Sequence, residues 1–286
     1  MTPTLVRQHP THAGPAPGVD RRARARDWAE IQERMLVPLY EAVYERLEVG
    51  SGTRLLGLGC GAGLALLMAA SRGASVTGVD CGAQERLALA RERLLPETWG
   101  TPARAGIRIV DGSPEDAAPA PGEPSYNLLT AFEPIGCATG DSEGLGEQLA
   151  AAAPLAGRGT PVVLVGWGPP ERCSTSAVLR VATELAEPVR GPGSWRPARR
   201  DDLEETAQRS GLWPDGSGRV ACPFGYADLD SAVRGMLSTG FFDAAIAATD
   251  QEQVDKELAE ALHPYRRADG TVWMPNVFRY LIARIP

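Results

Sequence analysis

Apolar positions along this chain change period several times, and each change predicts an element. From Asp27 to Leu47 they fall at Trp28, Ile31, Met35, Leu36, Leu39, Tyr40, Val43, Tyr44 and Leu47. Spacings of three and four predict an amphipathic helix over 27–47, bent at Pro38. Gly50-Ser51-Gly52 ends it. The run Leu55-Leu56-Gly57-Leu58 predicts a buried strand, and Leu64 to Arg72 a helix. Ser75 to Val79, Ile107 to Val110, Tyr126 to Phe132 and Val162 to Trp167 read as further strands. Gln84 to Leu94 and Glu143 to Ala153 read as helices between them. Strands alternating with helices predict a parallel α/β sheet.

Beyond residue 168 the pattern is less regular. Ser176–Ala186, Arg200–Ser210, Leu229–Leu237 and Gln251–Leu262 have helical spacing, and Arg219–Cys222 and Val277–Ile285 read as late strands. Segments 170–215 and 224–275 are expected to form a helical cover over the carboxyl ends of the strands. Residues 1–20 hold four prolines and two histidines and no apolar run, which predicts a disordered tail. One domain over 21–286 follows, with the N-terminal helix at 27–47, a nucleoside-binding core at 53–168, and cover and late strands at 169–286.

The turn after the first strand carries the candidate chemistry. It reads Gly59-Cys60-Gly61-Ala62-Gly63, and the second strand ends on Asp80, followed by Cys81. Glycines let a ligand approach the backbone, and a carboxylate about 20 residues on accepts from ribose hydroxyls. A dinucleotide fingerprint needs G-x-G-x-x-G, and Leu64 stands where its third glycine belongs. A glycine-rich turn alone also serves plain strand–helix packing; the acid at the next strand end favours nucleoside binding.

Composition narrows the options. A formal charge of −7 argues against a nucleic-acid partner, and no apolar run is long enough for a membrane span. Five scattered cysteines without C-x-x-C spacing fit a reducing cytoplasm and no metal site. A small-molecule substrate is the expected partner. The oligomeric state is open, a homodimer being one option.

The G-x-G-x-G turn, the Val79-Asp80 strand end, the Ser113-Pro114-Glu115-Asp116 loop and the strand Tyr126 to Phe132 together resemble the class I S-adenosylmethionine (SAM)-dependent methyltransferases. The group typified by ubiquinone and menaquinone biosynthesis is similar. Lys256, the only lysine in an arginine-rich chain, suggests its actinobacterial small-molecule members. The resemblance implies a Rossmann-like fold with a mostly parallel seven-stranded sheet and helices on both faces, and SAM as cofactor. It implies that Gly59, Cys60, Gly61 and Gly63 cradle the cofactor and that Asp80 and Cys81 lie at the ribose. Ser113, Pro114 and Glu115 would border the adenine, with Phe132 nearby. Three positions depart from the pattern: Gly57, Ser113 and Asn127 stand where the family usually has carboxylates. They imply weaker cofactor binding, or a fold repurposed for cyclisation or isomerisation with the cofactor structural or lost.

Two residues are candidate bases. Glu133 ends the fourth strand, at the edge that faces the ligand crevice in open parallel sheets. His263 is the only histidine beyond the N-terminal tail, in the expected cover. Trp28, Tyr40, Trp167, Phe241, Phe242 and Trp273 are candidates for an apolar pocket, of which two or three are expected at the site. The leading expectation is methyl transfer to a small, largely apolar secondary metabolite.

Overall fold

The computed structural model describes residues 20–95, 106–186 and 195–286. The expected tail lies outside them except for Asp20, which caps the first helix α1 (Arg21–Asp27) by accepting from the Arg22 and Ala23 amides.

Seven strands form one sheet: β1 (Arg54–Leu58), β2 (Ser75–Asp80), β3 (Ile107–Asp111), β4 (Leu128–Ile135), β5 (Pro161–Trp167), β6 (Trp213–Ala221) and, after the short β7 (Phe224–Tyr226) and β8 (Val272–Met274), β9 (Val277–Arg284). The spatial order is β3-β2-β1-β4-β5-β9-β6, with β9 antiparallel to both neighbours and the first five strands parallel. β7 and β8 form a separate two-stranded sheet. Strand order reverses between β1 and β4, and such a switch point opens a crevice at the strand carboxyl ends.

Side-chain alternation sends the strands into two cores. Leu55, Leu128, Val163 and Val165 face one side, and Leu56, Leu129, Val162 and Leu164 the other. The first face is covered by α2 (Val37–Arg46), α3 (Leu64–Ser71) and α6 (Thr175–Leu185), together with α8 (Leu229–Ser238), α9 (Asp243–Ala248) and α10 (Gln251–Leu262). The second carries α5 (Asp141–Ala152) and α7 (Asp202–Arg209). The helix after β2, α4 (Gln84–Leu94), buries Leu87, Ala90 and Leu94. No described helix is long and apolar enough to cross a membrane.

Two expectations need correction. The stretch 27–47 is not one helix bent at proline. A π turn (Trp28–Gln32) and a 3₁₀ turn (Glu33–Leu36) separate α1 from α2. Pro38 sits in the first turn of α2, where its missing N–H costs nothing. The break turns Trp28 and Glu33 toward the glycine turn. Nor does all of 170–215 join the cover: Leu203 and Ala207 of α7 pack on the sheet's opposite face. The cover is the α8–α10 insertion between β7 and β8, joined by α6 and the N-terminal segment.

Candidate functional site

The three glycines of the turn all have positive φ, at +58° for Gly59, +54° for Gly61 and +79° for Gly63. Their duties differ. A Cβ on Gly63 would meet Ala90 and Leu94 at 3.0 Å, so this glycine lets α4 pack closely and faces no ligand. A Cβ on Gly61 would lie 3.3 Å from Trp28 Nε1. Gly59 opens to the crevice, its nearest such neighbour being Glu133 Oε2 at 3.5 Å. The Gly61 amide donates to Asp80 Oδ2 at 3.0 Å, tying the turn to the end of β2.

Three cavities meet at Gly59. The first, of about 230 Å³, is lined by Asp80, Cys81, Ser113, Pro114 and Glu115. The second, of about 50 Å³, lies over the turn between Cys60, Gly61, Asp80, Arg86, Phe132 and Glu133. The third, of about 350 Å³, runs from Glu133 under the cover. The fold thus gathers ten of the expected site residues: Gly59, Cys60, Gly61, Asp80, Cys81, Ser113, Pro114, Glu115, Phe132 and Glu133.

The other two lie elsewhere. Gly63 faces α4, as above. His263 is exposed in the turn after α10 and lines none of these cavities. The α10 face that buries Val254, Leu258 and Leu262 packs inward and leaves the helix end in solvent. His263 therefore stands apart from the crevice that Glu133 lines.

Burial dominates the electrostatics of the crevice. It pushes the carboxyl of Asp80 up, while the Gly61 amide and the Arg86 charge pull it back. Glu133 is raised by burial and then by the neighbouring charge of Asp80, with Arg86 opposing. Its side chain is open to the cavity though walled by protein, and among the described residues it meets neighbouring charges and no hydrogen-bond donor. The Cys60 thiol is pushed up to about 12, first by burial and then by Asp80. Its sulfur packs against Gly78, so it is small filling and no nucleophile.

Arg86 and Glu33 complete the site and escaped sequence reasoning. Arg86, in the first turn of α4, lies 4.2 Å from the Trp28 ring centre and donates to the Ser238 carbonyl at 2.8 Å. Burial lowers its pKa, and Glu133 and Asp80 oppose that. It joins the N-terminal segment to the cover across the turn. Glu33 is 3 % exposed, accepts from the Leu64 amide at 3.1 Å and pairs with Arg93 at 2.7 Å. A signal did exist, since Glu33 shares a helical face with Leu36 and Tyr40 and so put a charge among apolar positions. Trp28 Nε1 is buried with no partner, an unmet donor on the crevice wall.

The three departures from the methyltransferase pattern have different local causes. A Cβ on Gly57 would sit 2.9 Å from Leu66 Cδ2, the end of a side chain that would have to shift to admit an acid. Ser113 caps the 3₁₀ turn Pro114–Ala117, its amide and hydroxyl donating to Asp116 Oδ2. Asn127 precedes β4 at the opposite edge of the sheet. There it accepts from the Arg54 amide at 2.6 Å and donates to the Gly52 carbonyl at 2.9 Å. It splices two strands and does not reach the site.

The third cavity is walled by Trp167, backed by the fully buried Phe224 and Phe278, with Phe241 and Thr239 reaching in from the cover. Of the aromatic candidates, Trp28, Trp167 and Phe241 line it and Tyr40 lines the smallest cavity. Phe242 is fully buried in the core, and Trp273 is half-exposed under Arg267. Asp141 forms part of the rim. It accepts from the amides of Gly136, Cys137 and Ala138 at 2.7–3.1 Å and pairs with Arg196 at 2.9 Å. Burial would raise its pKa, but these amides and Arg196 outweigh that and hold it low.

The sequence matches no protein-family profile and no curated protein. Among solved structures, this chain is similar to the YcgJ protein of Bacillus subtilis, with 14 % identity over 86 % of this chain and 97 % of that one and a TM-score of 0.51. It is likewise similar to a SAM-dependent methyltransferase from Thiobacillus denitrificans in complex with S-adenosyl-L-homocysteine. That match has 16 % identity over 94 % and 99 % of the two chains and a TM-score of 0.50. At such identities the likeness concerns architecture. The chain has the Rossmann-like fold of the class I methyltransferases.

Proposed function

We propose that this protein is a SAM-dependent methyltransferase acting on a small, largely apolar secondary metabolite in the cytoplasm. The observation that carries the proposal is the meeting of three cavities at Gly59, with Asp80 on one side and Glu133 on the other. The donor set fits the cofactor. Asp80 keeps one carboxylate oxygen free of the Gly61 amide for ribose hydroxyls, and Ser113 to Glu115 line room for the base. The unmet Trp28 Nε1 donor and the Arg86 cation suit the carboxylate of the amino-acid end. When bound, SAM supplies an electrophilic methyl group on a sulfonium.

This chain's residues bind, orient and exclude water. Arg86 and Trp28 close the crevice from one side, and Phe241 and Thr239 close it from the cover. Glu133, kept partly basic by burial, takes the proton that an acceptor hydroxyl releases. The space over the turn, about 50 Å³, is the smallest of the three and holds only a few waters at about 10–15 Å³ each. Trp28 therefore has to swing away from Gly61 when the amino-acid end enters.

That narrowness, together with Leu66 filling the space beside Gly57, favours one second reading: the fold retained for a non-methylating cyclisation or isomerisation. Calorimetric titration with SAM and S-adenosylhomocysteine separates the two. Micromolar binding that is lost in Asp80→Ala supports methyl transfer, and absence of binding to the wild type overturns it.

A further inference from the structure

Resting on that reading, we infer that the 350 Å³ cavity takes a flat, uncharged aromatic alcohol, its hydroxyl against Glu133 and its rings against Trp167. Size comes first: small-molecule sites span about 300–1,000 Å³ and are mostly apolar with a few placed polar groups. Trp167 is the part-exposed face of an aromatic stack, backed by the fully buried Phe224 and Phe278. Trp167 lies 4.6 Å from Phe278 and 6.1 Å from Phe224 between ring centres, and the two phenylalanines stack at 6.0 Å. The wall is rigid because Trp167 and Phe278 are register partners on β5 and β9 and Phe224 is pinned by β8. A preformed aromatic wall suits a planar ring, which gains offset or edge contacts that a flexible chain does not.

Charge narrows the class further. No described residue lining the cavity is lysine, arginine or histidine, while Glu133 and Asp141 both line it. An anionic acceptor would be buried beside carboxylates with no counter-ion, at a cost of several kcal/mol. An ammonium gains little in return. Asp141 is already satisfied by three amides and Arg196, and Glu133 faces Arg86. That leaves a neutral ligand with one proton to give. A phenol, with a pKa of about 10, is far closer to a buried carboxylate than an aliphatic alcohol is. Glu133 also lies at the Gly59 junction, which places the ligand hydroxyl at the mouth of the nucleoside crevice.

The test uses naphthol, naphthoate and naphthylmethylammonium as probes on the full chain, followed by calorimetry with and without saturating S-adenosylhomocysteine. Naphthol is expected to bind at least about 100-fold tighter than naphthoate and about 10-fold tighter than the ammonium. Trp167→Ala should weaken naphthol by about 10–100-fold and leave S-adenosylhomocysteine affinity unchanged. Equal or tighter binding of either charged probe, or no naphthol binding, overturns the inference. The wild-type ranking decides even if the variant does not fold. Should S-adenosylhomocysteine fail to bind while the probe ranking holds, the methyl-donor reading falls and the pocket chemistry stands.

Discussion

Asp80 Oδ2 accepts the amide of Gly61 at 3.0 Å, so the acid that ends β2 also braces the glycine turn that follows β1. One carboxylate thus has two duties, and they separate in a mutant series. Asp80→Asn keeps an acceptor for the amide, whereas Asp80→Ala does not. Both should weaken nucleoside binding through loss of a charged hydrogen bond, about 1.5–3 kcal/mol. Only the alanine variant should also lose about 1–2 kcal/mol of fold stability, read by urea unfolding. Unchanged nucleoside affinity in both would remove Asp80 from the site.

Glu133→Gln should lower turnover by about 10²–10⁴-fold if the residue is the base. It should also raise the stability of the empty protein at neutral pH. The Glu133 carboxyl is pushed above its unfolded value of about 4.3 by burial, so the fold favours its protonated form. That contribution is full below about pH 4 and is lost as pH rises through the raised value. The melting temperature of Glu133→Gln relative to wild type should therefore climb with pH from about 4 upward. A flat difference would mean that Glu133 is not desolvated.

Asp141 has the opposite sign. Its pKa is depressed, so its stabilisation is present above about pH 4 and disappears as pH falls through the lowered value. Asp141→Ala should cost about 1–3 kcal/mol at pH 7, since three amides and Arg196 lose an acceptor. The penalty should shrink in acid. Equal unfolding midpoints at pH 7 would show that the loop after β4 is held by other contacts.

Gly57→Asp should not restore cofactor affinity. Its Cβ would displace the Leu66 side chain in the core, so the variant should lose about 1–3 kcal/mol and unfold earlier in urea. His263→Ala should turn over like the wild type, because the histidine faces solvent away from the crevice. A slowed His263→Ala would place the cover differently from the arrangement described.

Trp28 gives a direct optical readout of the crevice. Its indole lies between Gly61 and Arg86, with its N–H buried and unpartnered. S-adenosylhomocysteine should change tryptophan emission in wild type and change it much less in Trp28→Phe. An identical change in both would mean that the ligand enters without displacing Trp28.

Local signals in the sequence determined a good deal. Short apolar runs marked the five parallel strands and period-3.6 spacing marked their helices, because in each the burial is written in neighbouring residues. The boundaries of α4 and α10 were legible to the residue. The turn and Asp80 were legible too, because a strand–turn–helix–strand unit is local in the chain. Tertiary packing decided the rest. Whether a turn glycine faces a ligand depends on what approaches it: α4 at Gly63, Trp28 at Gly61 and the open crevice at Gly59. The break at 28–36 became visible only when Glu33 met Leu64 and Arg93, residues distant in sequence. Phe224 joined Trp167 and Phe278 through the pairing of β5 with β9 and of β7 with β8. His263 had the right chemistry, yet the orientation of α10 turned it to solvent. Residue type and spacing report what a side chain is capable of; the direction it points is set by contacts across the whole chain, which no short window contains.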